Sequence, residues 1–215
     1  MREYLVIMNR LLAGERVTWN TKYIQIPEAK LPLLPPAPIP IYINARMPEM
    51  LEAAGELVKG ANLSIATPQW VREFAIPHLK KGAVKAGRPM EEVDITYHPI
   101  LCLSDDHDQA LRAARRALSG YFENPETTVL LRDYGFADEV RAIEEAKTAG
   151  RPVEPSDPLV EAIALVGSPE AVGKRLREYL QAGVRLPILR PQPLDSQGSY
   201  LAAEDAVRNL VQVLG

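Results

Sequence analysis

The residues of this chain best suited to chemistry lie where apolar runs give way to helix starts. Asn44-Ala45-Arg46-Met47 follows the run Ile39, Ile41, Tyr42, Ile43 and precedes Pro48, a residue preorganised for the first position of a helix. Ser64-Ile65-Ala66-Thr67 closes a second run and precedes Pro68. Backbone N–H groups at a helix N-terminus, with the helix dipole behind them, suit an anion. Arg46 adds a charge-assisted contact. Arg190 stands at the C-end of the last expected strand. Each has a plainer reading beside it. Thr67 and Ser168 fit as ordinary N-caps worth about 1 kcal/mol. Asn44 fits as a loop residue satisfied locally, Arg46 as a solvated arginine, and Arg190 as the partner of a nearby carboxylate.

Other chemistries are poorly served. His78, His98 and His107 are scattered without paired ligand spacing, so no metal site is expected. Tyr97 and His98 read as mid-strand core residues, and Cys102 as a small core hydrophobe. The acids between Glu139 and Glu145 read as a solvated helix face. No nucleophile–base pair and no general acid stands out. The single cysteine excludes an internal disulfide framework and fits a reducing cytoplasm. A net charge of −3, with no basic run, argues against nucleic acid and anionic membrane as partners. No apolar stretch approaches the ~20 residues that span a bilayer.

The elements that would position these residues follow from periodicity. Ile39 to Ile43 reads as a strand buried on both faces. Met50, Leu51, Ala54, Leu57 and Val58 form the stripe of a helix lying on a sheet, and Ala61 to Ala66 is the next strand. Short connections make this a right-handed strand–helix–strand unit with parallel strands. Before it come a helix from Arg2 to Ala13, a hairpin over Val17 to Ile26 turning at Asn20-Thr21-Lys22, and an extended connector from Pro27 to Pro38. After it come a helix from Pro68 to about Ala86, with a bend expected at Pro77, and a strand from Val93 to Leu103. A helix capped by Ser104-Asp105-Asp106 then runs to about Phe122. Residues 124–165 read as broken helix without a strand. Ser168 caps a helix ending at Gly183, Val184 to Leu189 is the fourth core strand, and Tyr200 to Leu214 the last helix. Four parallel strands alternating with helices suit either an open sheet or half of an eight-stranded barrel.

Four segments in register resemble one family. REYLVIMNRLLAGERVTWNTKYIQI, PIPIYINARMPEMLEAAGELVKGANL, TPQWVREFAIPHLKKGAVKAGR and VGSPEAVGKRLREYLQAGVRLPILRPQP are similar to the luciferase-like flavin- and deazaflavin-dependent oxidoreductases. Within that family the nearest branch resembles the coenzyme F420-dependent methylenetetrahydromethanopterin reductases. The resemblance implies an α/β fold, the C-terminal half of a (β/α)8 TIM barrel carrying strands five to eight. It implies a helical insertion over residues 105–165, before the final strand, all within one domain, 1–215. It implies F420 as cofactor, with FMN as the alternative, and hydride transfer to or from a small organic substrate. Asn44, Ala45, Arg46, Met47, Ser64, Ile65, Thr67 and Arg190 would then hold the cofactor, chiefly its phosphate. The family commonly has a Gly-Pro pair where this chain has Met47-Pro48. A half barrel leaves strand edges uncovered, so a homo-oligomer or a second chain completing the barrel is expected. Two functions remain open on these residues: an oxidoreductase, or a non-catalytic cofactor-binding or assembly module.

Overall fold

The computed structural model describes residues 1–123, 125–195, 207, 208 and 210. These form two compact units, one from Met1–Asn62 and Pro77–Asp94, the other from Leu63–Ile76 and Ile95 onward.

The first unit opens with α1 (Arg2–Leu12), which buries Leu5 and Ile7. Its Asn9 side chain donates to the Leu57 carbonyl at 2.6 Å. Strands β1 (Val17–Asn20) and β2 (Gln25–Ala29) pair antiparallel, Trp19 opposite Ile26. This is the expected hairpin, with β2 running three residues further. β3 (Tyr42–Asn44), α2 (Pro48–Leu57) and β4 (Gly60–Leu63) form the strand–helix–strand unit, β3 and β4 parallel with Tyr42 opposite Gly60. Gly60 is required by close approach: a Cβ there would fall 2.3 Å from the Asp94 carbonyl oxygen.

After β4 the chain enters α3 (Pro68–Trp70), a π turn (Val71–Ala75) and α4 (Ile76–Lys85). The Ile76 amide closes on the Val71 carbonyl, five residues back. This widened turn sits directly ahead of Pro77, which has no N–H to give and would clash in a regular helix. The bend expected at Pro77 is therefore absorbed as a π turn.

The second unit holds two sets of parallel strands. β5 (Asp94–Tyr97) pairs with β8 (Leu186–Pro187). β6 (Ile100–Leu103) lies between β7 (Leu165–Gly167) and β9 (Arg190–Pro191). Helices α5 (His107–Ser119), α6 (Pro125–Leu131), α7 (Ala137–Thr148) and α8 (Asp157–Ile163) fill the stretch between β6 and β7, and α9 (Pro169–Gln181) follows. Their core gathers Ile100, Cys102, Leu111, Leu118, Phe122 and Ile163. In neither unit do the described strands close into a barrel.

Three expectations are corrected. The single strand Val93 to Leu103 is two strands with different partners, parted at His98-Pro99, because Pro99 has no donor for a ladder. Tyr97 and His98 accordingly sit at a strand end and not mid-strand. Residues 124–165 are helical as expected, but the strand β7 begins at their close, at Leu165. The expected last helix, Tyr200 to Leu214, lies outside the described residues apart from Val207, Arg208 and Leu210. Among the described residues no helix is long and apolar enough to cross a membrane.

Candidate functional site

In the first unit the candidate residues follow β3 directly. Asn44 is exposed at the strand's end, while Ala45 is fully buried and donates its amide to the Asn62 carbonyl at 3.3 Å. Arg46 is half-buried. Met47 is the N-cap of α2, with φ −88° and ψ 152° and no side-chain cap. That extended conformation is open to any residue, so the backbone itself does not demand the glycine that the family resemblance puts near this position. Met47 accepts the amides of Met50 and Leu51, both at 3.0 Å, which closes the first turn.

The α2 helix that carries this terminus is held by ion pairs and by close packing. Glu56 bonds Arg2 and lies 3.0 Å from Lys85. Burial opposes ionisation of Glu56, but the bonds from Arg2 and Lys85 outweigh it and hold the carboxyl below its ordinary range. Glu52 meets Lys81 at 2.7 Å and His78 at 3.2 Å, and these bonds lower its pKa.

In the second unit the C-terminal ends of three strands come together. The His98 amide donates to the Leu63 carbonyl at 3.0 Å, the Ile188 amide to Tyr97 at 2.8 Å, and the Arg190 amide to Pro99 at 3.1 Å. Ser64, His98 and Arg190 therefore share one end of the strand set. Arg190 donates to the Tyr121 hydroxyl and stands over its ring, 5.5 Å from the centroid. Its guanidinium thus meets a phenol, where the plainer reading had a carboxylate. His98 is half-buried, its Nε2 3.4 Å from the Thr96 hydroxyl. Burial first, and then the charge of Arg190, lower its pKa, so its imidazole is neutral at neutral pH. Pro99 has no N–H to give a ladder, so it was the signal that would have placed His98 at a strand end.

Between Ser64 and Thr67 the backbone is unusual. Ile65 has φ +50°, the left-handed region, yet its side chain is buried. Thr67 is 8% exposed and is the N-cap of α3, its hydroxyl oxygen accepting from the Trp70 amide at 3.1 Å. The plainer role of Thr67 is thus present in the structure. Two buried phenols lie within hydrogen-bond distance of the Ala66 carbonyl, Tyr179 at 2.8 Å and Tyr97 at 3.1 Å. Nothing in the spacing of these tyrosines announced the pair. Burial pushes the Tyr97 phenol well above its ordinary value and Tyr179 up to about 12, so both keep their protons as donors.

No cluster of three metal-ligating side chains occurs among the described residues. What both stretches offer is an arrangement of backbone amides, hydroxyls and arginines: groups that bind and orient an anion.

A family model described as luciferase-like monooxygenase matches residues 1–186. The chain is 30% identical over 192 residues to a 5,10-methylenetetrahydromethanopterin reductase of Archaeoglobus fulgidus, covering 86% of this chain and 57% of that protein. It is 35% identical over 122 residues to an F420-dependent glucose-6-phosphate dehydrogenase of Microbacterium testaceum, covering 54% of this chain and 34% of the relative. Among solved structures, the coenzyme F420 dependent tetrahydromethanopterin reductase of Methanopyrus kandleri superposes with a TM-score of 0.73 at 26% identity, covering 88% of this chain and 56% of that one. The chain spans 54% to 57% of the length of the curated reductases it matches.

Proposed function

Because the chain belongs to the luciferase-like monooxygenase family, we propose that it is an F420-dependent oxidoreductase acting on a small organic substrate, with FMN as the alternative cofactor. The observation that carries this reading is the match, over most of the chain, to relatives whose names are those of F420-dependent enzymes. The proposed architecture is the C-terminal half of a (β/α)8 barrel within one domain. In it β3, β4, β5 and β8 are strands five to eight, and 105–165 is the insertion before the last.

Each unit, taken by itself, offers donors of the kind a phosphate-bearing cofactor takes. In the first unit Asn44, Ala45, Arg46 and Met47 offer a strand-end loop, an arginine and the start of a ten-residue helix. In the second, Ser64, Ile65, Thr67 and Arg190 offer hydroxyls, amides and a guanidinium. A bound deazaflavin supplies the hydride chemistry. The chain's own residues bind and orient it, and burial, with the charge of Arg190 adding to it, lowers the pKa of His98 beside Arg190.

We further propose that a second copy or a second chain completes the site. The apolar side chains the first unit exposes, among them Tyr23 at 79% and Leu33 at 84%, support this. A reducing cytoplasm suits the free, buried Cys102, whose thiol burial pushes up to about 12. A second reading is a cofactor-binding or assembly module without turnover of its own.

A fluorescence titration with F420, and with FMN beside it, tests these readings. Saturable F420 binding at micromolar concentration, with substrate-dependent oxidation of the reduced cofactor, is the result expected of the enzyme. Binding without turnover supports the module. Binding of neither cofactor refutes both.

A further inference from the structure

We propose that Tyr97 and Tyr179 are positioning residues that clamp the Ser64–Thr67 loop in a conformation it would not adopt alone, and so set its affinity for the cofactor; the second half of this rests on the deazaflavin reading above. Ile65 is β-branched and lies at φ +50°, where such residues are genuine outliers. A strained residue persists only where its surroundings over-determine it. Here three restraints act on consecutive residues. The Ile65 side chain is packed into the core with Ile100 and Cys102. The Ala66 carbonyl is held by the Tyr179 phenol, against which Tyr97 is stacked, and Thr67 is held by the Trp70 amide.

The phenols tie the loop to the end of α8. The last carbonyls of a helix lack intrahelical partners. Tyr97 reaches the Ile163 carbonyl at 2.7 Å, and Tyr179 the Ala162 carbonyl at 3.1 Å. Arg175 donates to that Ala162 carbonyl at 2.6 Å, and its guanidinium lies over the Tyr179 ring, 5.4 Å from the centroid. Each phenol has one proton, yet three carbonyls and the other hydroxyl compete for the two. The shortest contacts assign the Tyr97 proton to Ile163 and the Tyr179 proton to Ala66. Tyr179 is therefore the donor to the loop. Tyr97, stacked on it with centroids 4.2 Å apart, is the brace.

The substitution Tyr179→Phe removes one hydroxyl and keeps the stack. Two readouts on the full chain decide the matter. Without ligand, hydrogen exchange is followed at Trp70 and Val71, whose amides bond the hydroxyl and carbonyl of Thr67 at 3.1 Å and 3.0 Å. With ligand, fluorescence titration compares F420 with the same deazaflavin lacking its phosphate, since the loop's hydroxyls and amides are donors to an anion. One lost hydrogen bond corresponds to about fivefold. Exchange at Trp70 and Val71 is expected to quicken about fivefold while that of α5 stays unchanged. F420 affinity is expected to fall about fivefold and that of the phosphate-free deazaflavin to stay unchanged. Unmoved exchange at Trp70 and Val71, an equal rise in α5, or equal weakening of both ligands would overturn the proposal. If the unsubstituted protein binds neither deazaflavin, the cofactor reading fails, and the exchange result alone decides the clamp. Should Tyr179→Phe not fold, Tyr97→Phe replaces it, with about a twofold effect expected in the same readouts.

Discussion

Helices α2 and α4 meet at two glycines, and the substitution Gly82→Ala measures how closely. A Cβ on Gly82 would stand 1.9 Å from the Glu52 carbonyl oxygen and 2.8 Å from its carbon. A Cβ on Gly55 would stand 2.0 Å from the Leu79 carbonyl oxygen. The obstacle is backbone in both cases, so no side chain can swing away. The Gly82 contact falls about 1.5 Å short of ordinary carbon–oxygen separation, and α2 must lift from α4 to restore it. Overpacking of this kind costs about 1–3 kcal/mol and occasionally more. Against it stands the gain of about 1 kcal/mol from replacing a mid-helix glycine with alanine. With backbone on the far side the upper end of the cost applies, leaving a net loss of about 2 kcal/mol. In a chain of this size that lowers the thermal midpoint by about 4–8 °C. Gly120→Ala is the internal control: a Cβ there meets nothing within 4 Å, and its φ of −67° is helical. Circular dichroism melts and urea titrations of both variants provide the comparison. Gly120→Ala is expected to be neutral or mildly stabilising. A Gly82→Ala midpoint equal to or above the parent's would refute the reasoning, because it would mean the helices are free to part. The lift also moves the start of α2, so weaker cofactor binding is expected with it.

Other outcomes are expected from the same structure. Thr67→Ala and Ser168→Ala each remove an N-cap bond, at 3.1 Å and 3.3 Å, and each should cost about 1 kcal/mol in urea unfolding; only Thr67→Ala should also weaken F420 in titration. Glu56 is held below its ordinary value of 4.5, so the stability it contributes is present above that value and is lost as pH falls through the lower native one. Glu56→Gln should flatten the acid limb of a stability–pH curve, and an unchanged limb would contradict the assignment. Arg190→Met removes the cation beside His98, so the His98 imidazole, followed by NMR titration, should move up toward its ordinary value yet stop short of it, because burial, the larger cause of the lowering, remains.

What could be read in advance was what local chemistry dictates. Thr67, Asp106 and Ser168 are caps because a short polar side chain before an apolar-periodic stretch satisfies helix amides, whatever the fold. The unit from β3 to β4 was legible because its hydrophobic pattern changes from a continuous run to a helical stripe and back. β7 was not, since three residues at the end of a helical stretch carry no period to detect. The parting of β5 from β6 was half visible. Pro99 forbids a ladder bond, but only the partners, β8 for one and β7 and β9 for the other, turn a local weakness into a change of sheet neighbours. The π turn follows the same logic, with Pro77 announcing a missing amide and tertiary packing deciding how the helix accommodates it.

At the candidate site the residue types were legible and their commitments were not. The family resemblance puts a glycine near Met47, and the extended backbone there does not require one for its conformation. Thr67 could face a ligand or cap a helix, and the Trp70 amide shows that its oxygen is already engaged in the cap. The deepest gap is Ile65. Its type argues against the left-handed conformation it occupies, so a local reading places an ordinary strand end there. The conformation is imposed from outside by core packing and by two phenols drawn from positions 82 residues apart. Disagreement between a residue's own preference and its conformation is concentrated at sites where the fold holds something in place. Within Ser64–Thr67 that disagreement falls on one residue, and the groups that enforce it are the buried tyrosines and not the exposed polar side chains. The geometry of the loop is therefore a property of the α8 terminus and the tyrosine pair as much as of the loop's own sequence.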